Sequence, residues 1–462
     1  MKKNLSILFY TLTAILIFSS CSDDDETILS DDCYITSFTL GNVKRLVHTT
    51  TKDGKDSTYY VTYDASGYAM HINQLTGKIA NTDSLPVGSR TQAILATVNS
   101  SGSLMYRYAD DVSENWLSYS SSDSIDFSHT LIFRVTSADG FALREYEVKL
   151  NVHQQEGDEF SWNRLTSNSV WHNATYMKSI IWNNKVWLYT ADDQQNISLF
   201  TSDVNDGQTW QNESISGCEN ALIRSITDFN GRLLMSCTDG SIIESTDGKN
   251  WTNIPNQSGE TLYLLTASQS SIYALGNNNQ KILRSQNAAD WTEEILDDSP
   301  AFLPSQDITA ISYTQENGNE RVILGGNRSA TAYHDDKTAM IWSKVISPYL
   351  PENNKWSYFV VAPDNYYICP PLKHLTILSY DKQLVALGGP SVDGTYKALE
   401  ELYVSPDNGI TWKKDPVYTL PESIANSSAA FTASTDDDNH IWLIVGGEIW
   451  KGRLNRLGFA QQ

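Results

Sequence analysis

The chain has 462 residues, with 33 Lys and Arg against 55 Asp and Glu, for a net charge of -22. That acidic balance repels phosphate backbones and argues against nucleic-acid binding. Beyond Cys21, the cysteines Cys33, Cys218, Cys237 and Cys369 are too scattered for a disulfide framework, Cys218 and Cys237 bridging only if neighbouring strands bring them close, and no CxxC or HExxH spacing supports a zinc site.

The N-terminus, MKKNLSILFYTLTAILIFSSC, has the layout of a signal peptide. Lys2 and Lys3 precede an apolar run from Leu5 to Phe18 that is short for a membrane span. Phe18-Ser19-Ser20-Cys21 resembles a bacterial lipobox, with Phe where Leu is commoner. The resemblance implies that residues 1–20 are removed and that Cys21 is acylated, making the lipid bilayer the first partner. Ser22-Asp23-Asp24-Asp25-Glu26 follows and resembles the acidic export signal of surface lipoproteins in Bacteroides-type bacteria. The expected location is the outer membrane, exposed at the cell surface, with residues 21–31 as an acidic tether. A plain solvated tether is the competing reading of the run.

After the tether, helical periodicity is almost absent. Short runs rich in Ile, Val, Tyr and Trp are broken by Asn, Asp, Gly and Ser, so the expected fold class is all-β. Residues 32–154 close on FRVTSADGFALREYEVKLNV, two alternating runs around Asp139-Gly140 that predict a β-hairpin. The hairpin resembles the closing one of bacterial immunoglobulin-like domains. That resemblance implies a β-sandwich over 32–154, acting as a spacer.

QQEGDEF at 154–160 reads as a hinge, and a repeat follows it. Strings opening on an apolar run and Ser, turning through Asp, Asn or Gly, end on Trp210, Trp251, Trp291, Trp356 and Trp412. The first steps between them are 41 and 40 residues, the length of a four-stranded propeller blade. A hairpin pattern precedes each string, and a sixth hairpin is followed by EIWKGRLNRLGF, which has no closing Trp strand. FSWNRL, around Trp162, has the form of the segments after the other tryptophans. The expectation is therefore a six-bladed β-propeller over 156–462, closed by its N-terminal strand, with no free sheet edge.

Ser405, Asp407, Gly409, Thr411 and Trp412 in VSPDNGITW resemble the Asp-box of sialidases and related propellers. Ser245, Asp247, Gly248 and Trp251 form a shortened copy, and Ser285, Asn287 and Trp291 a degraded one. Ser202, Asp206, Gly207 and Trp210 match with one extra residue. The resemblance implies a tight turn on the blade rim, away from the ligand face, and the structural reading outweighs a catalytic one.

Sialidases on this fold use an arginine triad, a Tyr–Glu nucleophile pair and an Asp acid, and their Arg-Ile-Pro motif is missing here. Lys178, Arg224 and Lys373 stand at the starts of innermost strands and are candidates for cations facing the channel, where they would hold a carboxylate or sulfate; ordinary charged residues at strand starts are the blander alternative. No Tyr–Glu pair can be assigned. Glu400 and Glu401 are neighbours in a strand pattern and point to opposite faces, so no catalytic residue is named. Aromatic and polar residues instead crowd the links and long loops: Trp171, His172 and Tyr176; Arg328, Tyr333, His334 and Asp335; Tyr366 and Tyr367; Tyr396 and Lys397. They are candidates for binding a glycan or an envelope protein, unless they only pack their own insertions. No cofactor is expected. Calcium at the turn Asp436-Asp437-Asp438-Asn439 is the weaker alternative to a solvated turn.

Taken whole, lipobox, tether, immunoglobulin-like domain and propeller ending in WKGRLNRLGF resemble an uncharacterised family of Bacteroides-type surface lipoproteins. The resemblance implies a fold and a location. The function it favours is a non-catalytic surface binding protein, ahead of a sialidase-like glycoside-processing enzyme and of an assembly scaffold.

Overall fold

The computed structural model describes residues 29–351, 354–362, 364–391 and 393–458. The signal peptide, Cys21 and most of the tether lie outside them. The chain divides into two units, one ending at Gln154 and one starting at Gln155. Among the described residues both units are strand and loop, with five short 3-10 turns and no α-helix.

In the first unit, Ile35–Leu40, Ile94–Ser100 and Ser124–Ile125 form one three-stranded sheet, and Asn42–Thr50, Asp56–Asp64 and Ser89–Arg90 another. A six-stranded sheet is built on the hairpin Leu131–Thr136 and Leu143–Lys149. Its turn is fixed by Ser137, whose Oγ donates to Asp139 Oδ1 at 2.5 Å. The alternating residues Leu131, Phe133 and Val135 are fully buried, as are Tyr146 and Val148 across the ladder. Phe38 meets Phe133 edge-on at 5.7 Å, so two of the sheets share one apolar core.

In the second unit, six four-stranded antiparallel sheets follow one another. Their first strands are Tyr176–Trp182, Thr227–Phe229, Tyr263–Ala267, Gln306–Thr314, Thr376–Tyr380 and Phe431–Thr435. The outer strand of the sixth sheet comes from the other end of the unit: Phe160–Ser167 pairs with Glu448–Leu454, with Trp162 opposite Gly452. A Cβ on Gly452 would stand 2.3 Å from the Trp162 indole, so only glycine lets the ring lie flat on that strand. From the second sheet to the sixth each first strand packs beside the next, the sixth returns to the first, and the first meets the 3-10 turn Ile223–Ser225 that leads into the second. There the Ser179 N–H donates to Thr432 Oγ1 at 2.9 Å. The six first strands thus surround a central channel.

Two-residue turns such as Asn183-Asn184 and Asn230-Gly231, with positive φ at both positions, join first to second strands. This is the geometry that suits the right-handed strand twist. Because each sheet is an antiparallel meander, these turns and the Ser/Asp turns lie at one end of the channel. The second-to-third-strand loops and the links between sheets reach the other end, called here the loop face.

Candidate functional site

The Ser/Asp turns are structural in geometry. Ser405 Oγ donates to Asp407 Oδ1 at 2.9 Å and accepts the Gly409 N–H at 2.8 Å. Asp407 accepts from the Thr411 N–H and hydroxyl, and the Trp412 indole N–H closes onto the Gly409 carbonyl at 3.0 Å. Burial opposes ionisation of Asp407, but the donors from Thr411 and Ser405 outweigh it and lower its pKa. Ser245, Asp247 and Gly248 repeat the pattern, with Asp247 accepting the Lys249 and Asn250 N–H groups at 2.8 Å. A Cβ on Gly248 would meet the Trp187 ring at 2.5 Å, so this turn packs on the preceding sheet.

Asn287 replaces the aspartate in the third sheet, with Ala288 at φ 64° in the glycine position. Trp291 closes onto Ala288 O. The first sheet departs from the motif: Ser202 reaches only Asp203 O, at 3.4 Å, while Asp206 turns to the Thr209 N–H. Gly207 lies against Trp442, and Trp210 closes onto the Gly207 carbonyl.

In the fourth sheet a buried ion pair stands in for the turn. Lys344 Nζ meets Glu294 at 2.5 Å, and the Trp356 indole donates to the same carboxylate. At the Asp436 turn, Oδ1 accepts the Asp438 and His440 N–H groups, and Oδ2 the Trp442 indole at 2.9 Å. Lys451 Nζ stands 3.5 Å away. Donors surround the carboxylate, which leaves a calcium ion no free oxygen pair, and among the described residues no metal-binding group of His, Cys, Asp and Glu converges. Cys218 and Cys237 are both buried in one core cluster as free thiols, and burial raises the pKa of each.

The loop-face candidates separate into two groups. Trp171 is a core residue, not a ligand contact: it is buried, edge-on to Phe200 and Trp210 at 5.4 and 5.0 Å. His172 is tied to Ser169 O, and Tyr176 stands edge-on to His374 at the channel mouth. Tyr396 is half-buried against Tyr403, and Lys397 pairs with Glu400.

Tyr366 and Tyr367 are exposed but on a different side from that expected. The Tyr367 carbonyl accepts the Trp412 N–H, as the Ser216 carbonyl does for Trp251 and the Ile295 carbonyl for Trp356. Each link therefore first runs past the outer strand of the next sheet at the Ser/Asp end, and these two tyrosines sit on that outer edge.

Arg328, Tyr333 and His334 do meet. With Asn327, Asp336, Thr338, Pro371 and Asp393 they line a cavity of about 180 Å³ between the loops of the fourth and fifth sheets. Arg328 is clamped by Asp336, at 2.8 and 2.5 Å, and lies 3.8 Å over the Tyr333 ring, which is still 40 % exposed. Asp335 pairs with His334 at 3.3 Å in the open. Asn327 was not a sequence candidate. Its amide nitrogen donates to Asp307 and to Leu372 O, while its Oδ1 is shut off from solvent and has no partner among the described residues. A buried acceptor left unmade is a cost that the fold carries at this position.

The channel cavity, about 290 Å³, is lined from all six sheets. Lys178 and Arg224 line it; Lys373 does not and is exposed, while its neighbour His374 meets Arg224. Arg224 Nη1 donates to His374 Nδ1 at 2.6 Å, so that nitrogen is unprotonated. Burial, and then the guanidinium, lower the pKa of His374. Burial and the nearby Arg224 also push Lys178 down to about 8. Asp228 is the one carboxylate among the lining residues.

Residues 156–462 match the family model described as "DUF6242 beta propeller domain", and residues 38–150 that of the DUF6242 N-terminal domain. No curated protein matches the chain. Among solved structures, a DUF4623 family protein from Bacteroides eggerthii is 10% identical, with a TM-score of 0.37, over 91% of this chain and 98% of its own. A protein of unknown function from Bacteroides thetaiotaomicron is 9% identical, with a TM-score of 0.39, over 79% and 94%. YCF48 from Cyanidioschyzon merolae is 13% identical, with a TM-score of 0.35, over 63% and 98%. Likeness at this level bears on neither ligand nor reaction.

Proposed function

We propose that this chain, which belongs to the DUF6242 family, is a non-catalytic cell-surface lipoprotein whose loop face binds a glycan. In this reading the six sheets are the blades of a six-bladed propeller, and the Ser/Asp turns are Asp-boxes that fix its rim. The first unit is an immunoglobulin-like sandwich that spaces the propeller from the membrane. The observation that carries the binding is the Tyr333 ring, 40 % exposed in a cavity otherwise lined mainly by polar side chains. A sugar offers a C–H face for the aromatic ring and hydroxyls for the polar side chains around it. Arg328 stacks on Tyr333 and is itself clamped, so the ring is held ready and little ordering is needed on binding.

The enzymatic alternative is disfavoured by the carboxylates of the same cavity. A glycosidase acid needs a raised pKa. Ser391 and Thr395 hydrogen bonds hold Asp393 down to about 2, and both Asp336 oxygens are taken up by Arg328.

A glycan array with the full mature chain tests the reading. Binding is expected to weaken roughly tenfold in Tyr333→Ala, the scale of one aromatic stack plus lost positioning. No glycan binding, with a stable envelope-protein complex in its place, would turn the assignment to a scaffold. The lipid anchor rests on the Phe18–Cys21 motif and the acidic run after it. Cys21→Ala should move the protein from the membrane fraction to the soluble one; retention in the membrane fraction sinks the anchor.

A further inference from the structure

We infer that the channel mouth is a second binding site, for an oxyanion, in which Lys178, Arg224 and Tyr263 hold a carboxylate, sulfate or phosphate group of a small solute. The three residues come from neighbouring sectors of the ring. Lys178 is on the first strand of the first sheet, Arg224 on the short turn Ile223–Ser225 leading into the second, and Tyr263 at the start of the third. All three line the same cavity of about 290 Å³, room for one small group. No hydrogen bond or ion pair engages the Lys178 ammonium or the Tyr263 hydroxyl among the described residues.

Arg224 is held from across the ring, by His374 Nδ1 and more loosely by Leu375 O. Those contacts use two of its five N–H donors, and it brings its charge to the mouth already oriented.

The charge balance is what calls for a ligand. Two cations share a partly desolvated cavity, and the Arg224 guanidinium disfavours the charged form of Lys178. The one carboxylate lining the cavity, Asp228, gives its Oδ1 to the Gly231 N–H of the turn at the far end of its strand, and burial raises its pKa. It is not among the charges that shift Lys178. In a chain of net charge -22, a half-buried cation pair with no anionic partner among the described lining residues is a local reversal of sign. An oxyanion would accept from ammonium, guanidinium and phenol together, the charge-assisted geometry that is strongest away from water.

This site shares no residue with the Tyr333 cavity, so the two readings stand or fall apart. The test is thermal unfolding and titration calorimetry on the full mature chain with sodium sulfate, phosphate and glucuronate, each against sodium chloride. At least one of the three should bind saturably and raise the melting temperature; which one does identifies the source of the oxyanion. Lys178→Met should weaken that binding roughly tenfold or more. With no anion present, it should melt at or above the wild type, because it relieves an unpaired cation. Tyr263→Phe, a change of one oxygen, should weaken binding and leave folding intact.

Three results would overturn the site: no saturable binding of any of the three anions, equal binding in Lys178→Met and Tyr263→Phe, or an anion-free Lys178→Met that melts well below the wild type. Glycan binding lost in Tyr333→Ala but unchanged in Lys178→Met would separate the loop pocket from the channel.

Discussion

Ser202 and Ser405 hold the same place in their sheets and are both buried, yet they are not equivalent. Ser405 Oγ makes two good hydrogen bonds and satisfies the buried N–H of Gly409. Removing it orphans that donor, which costs about 1–2 kcal/mol. Ser202 Oγ has only a 3.4 Å contact to a neighbouring carbonyl, beyond good geometry. Ser405→Ala should therefore lower stability by about 1–2 kcal/mol, and Ser202→Ala by about 0.5 kcal/mol. Urea unfolding of the two variants decides this; equal losses would mean that the motif's hydrogen bonds do not set the turn's strength. The cause lies in the sequence. The extra residue in FTSDVNDGQTW moves Asp206 out of reach of Ser202 and onto Thr209.

At the scale of the element, what repeats was legible. The strings ending in Trp mark the third-to-fourth-strand turns, because Ser, Asp, Asn and Gly most readily supply the left-handed φ and the local hydrogen bonds that the turn needs; Ala288, at φ 64°, is the exception. The hairpin around Asp139-Gly140 could be read from its alternation for the same local reason. The loop-face site was legible only in part. Arg328, Tyr333 and His334 come from one insertion and stay together.

Trp171 was misread because an aromatic in a link carries no sign of which way it packs. Its ring belongs to the core beside Trp210. Tyr366 and Tyr367 were misplaced because the path of a link, outer strand first and channel later, is set by pairing with the next sheet. Asn327 and His374 were missed for a deeper reason. Asn327 contacts Leu372, 45 residues on, and His374 meets Arg224 from 150 residues away. No local pattern announces either meeting. The local signal is the pair Lys373-His374 at a strand start, and nothing in that pair says that His374 is the one to meet Arg224.

At the scale of the molecule, the second unit depends on a contact between its two ends. Ser161 Oγ donates to Asn455 across 294 residues of sequence, and Asn455 in turn donates to Glu156 O. Phe160 is buried, stacked on Trp162 at 4.9 Å and near Tyr380 of the fifth sheet. Without Phe160–Ser167, the strand Glu448–Leu454 becomes an open edge with its N–H and C=O groups exposed, and the core of the sixth sheet loses its cover. Burial of Phe160 alone is worth about 2–3 kcal/mol, and the lost ladder bonds add about 0.5–1.5 kcal/mol each. Against a typical stability of about 5–15 kcal/mol, that removes most of the margin.

A chain beginning at Gln155 should thus unfold in one cooperative transition. One beginning at Asn168 should be expanded or aggregated by size-exclusion chromatography and lack near-ultraviolet circular dichroism. Adding a peptide of residues 156–167 in excess should restore the signal, since the strand supplies its contacts without a covalent link. If the chain from Asn168 melts at the same temperature as the chain from Gln155, the ring holds through its loops alone and the terminal strand is dispensable.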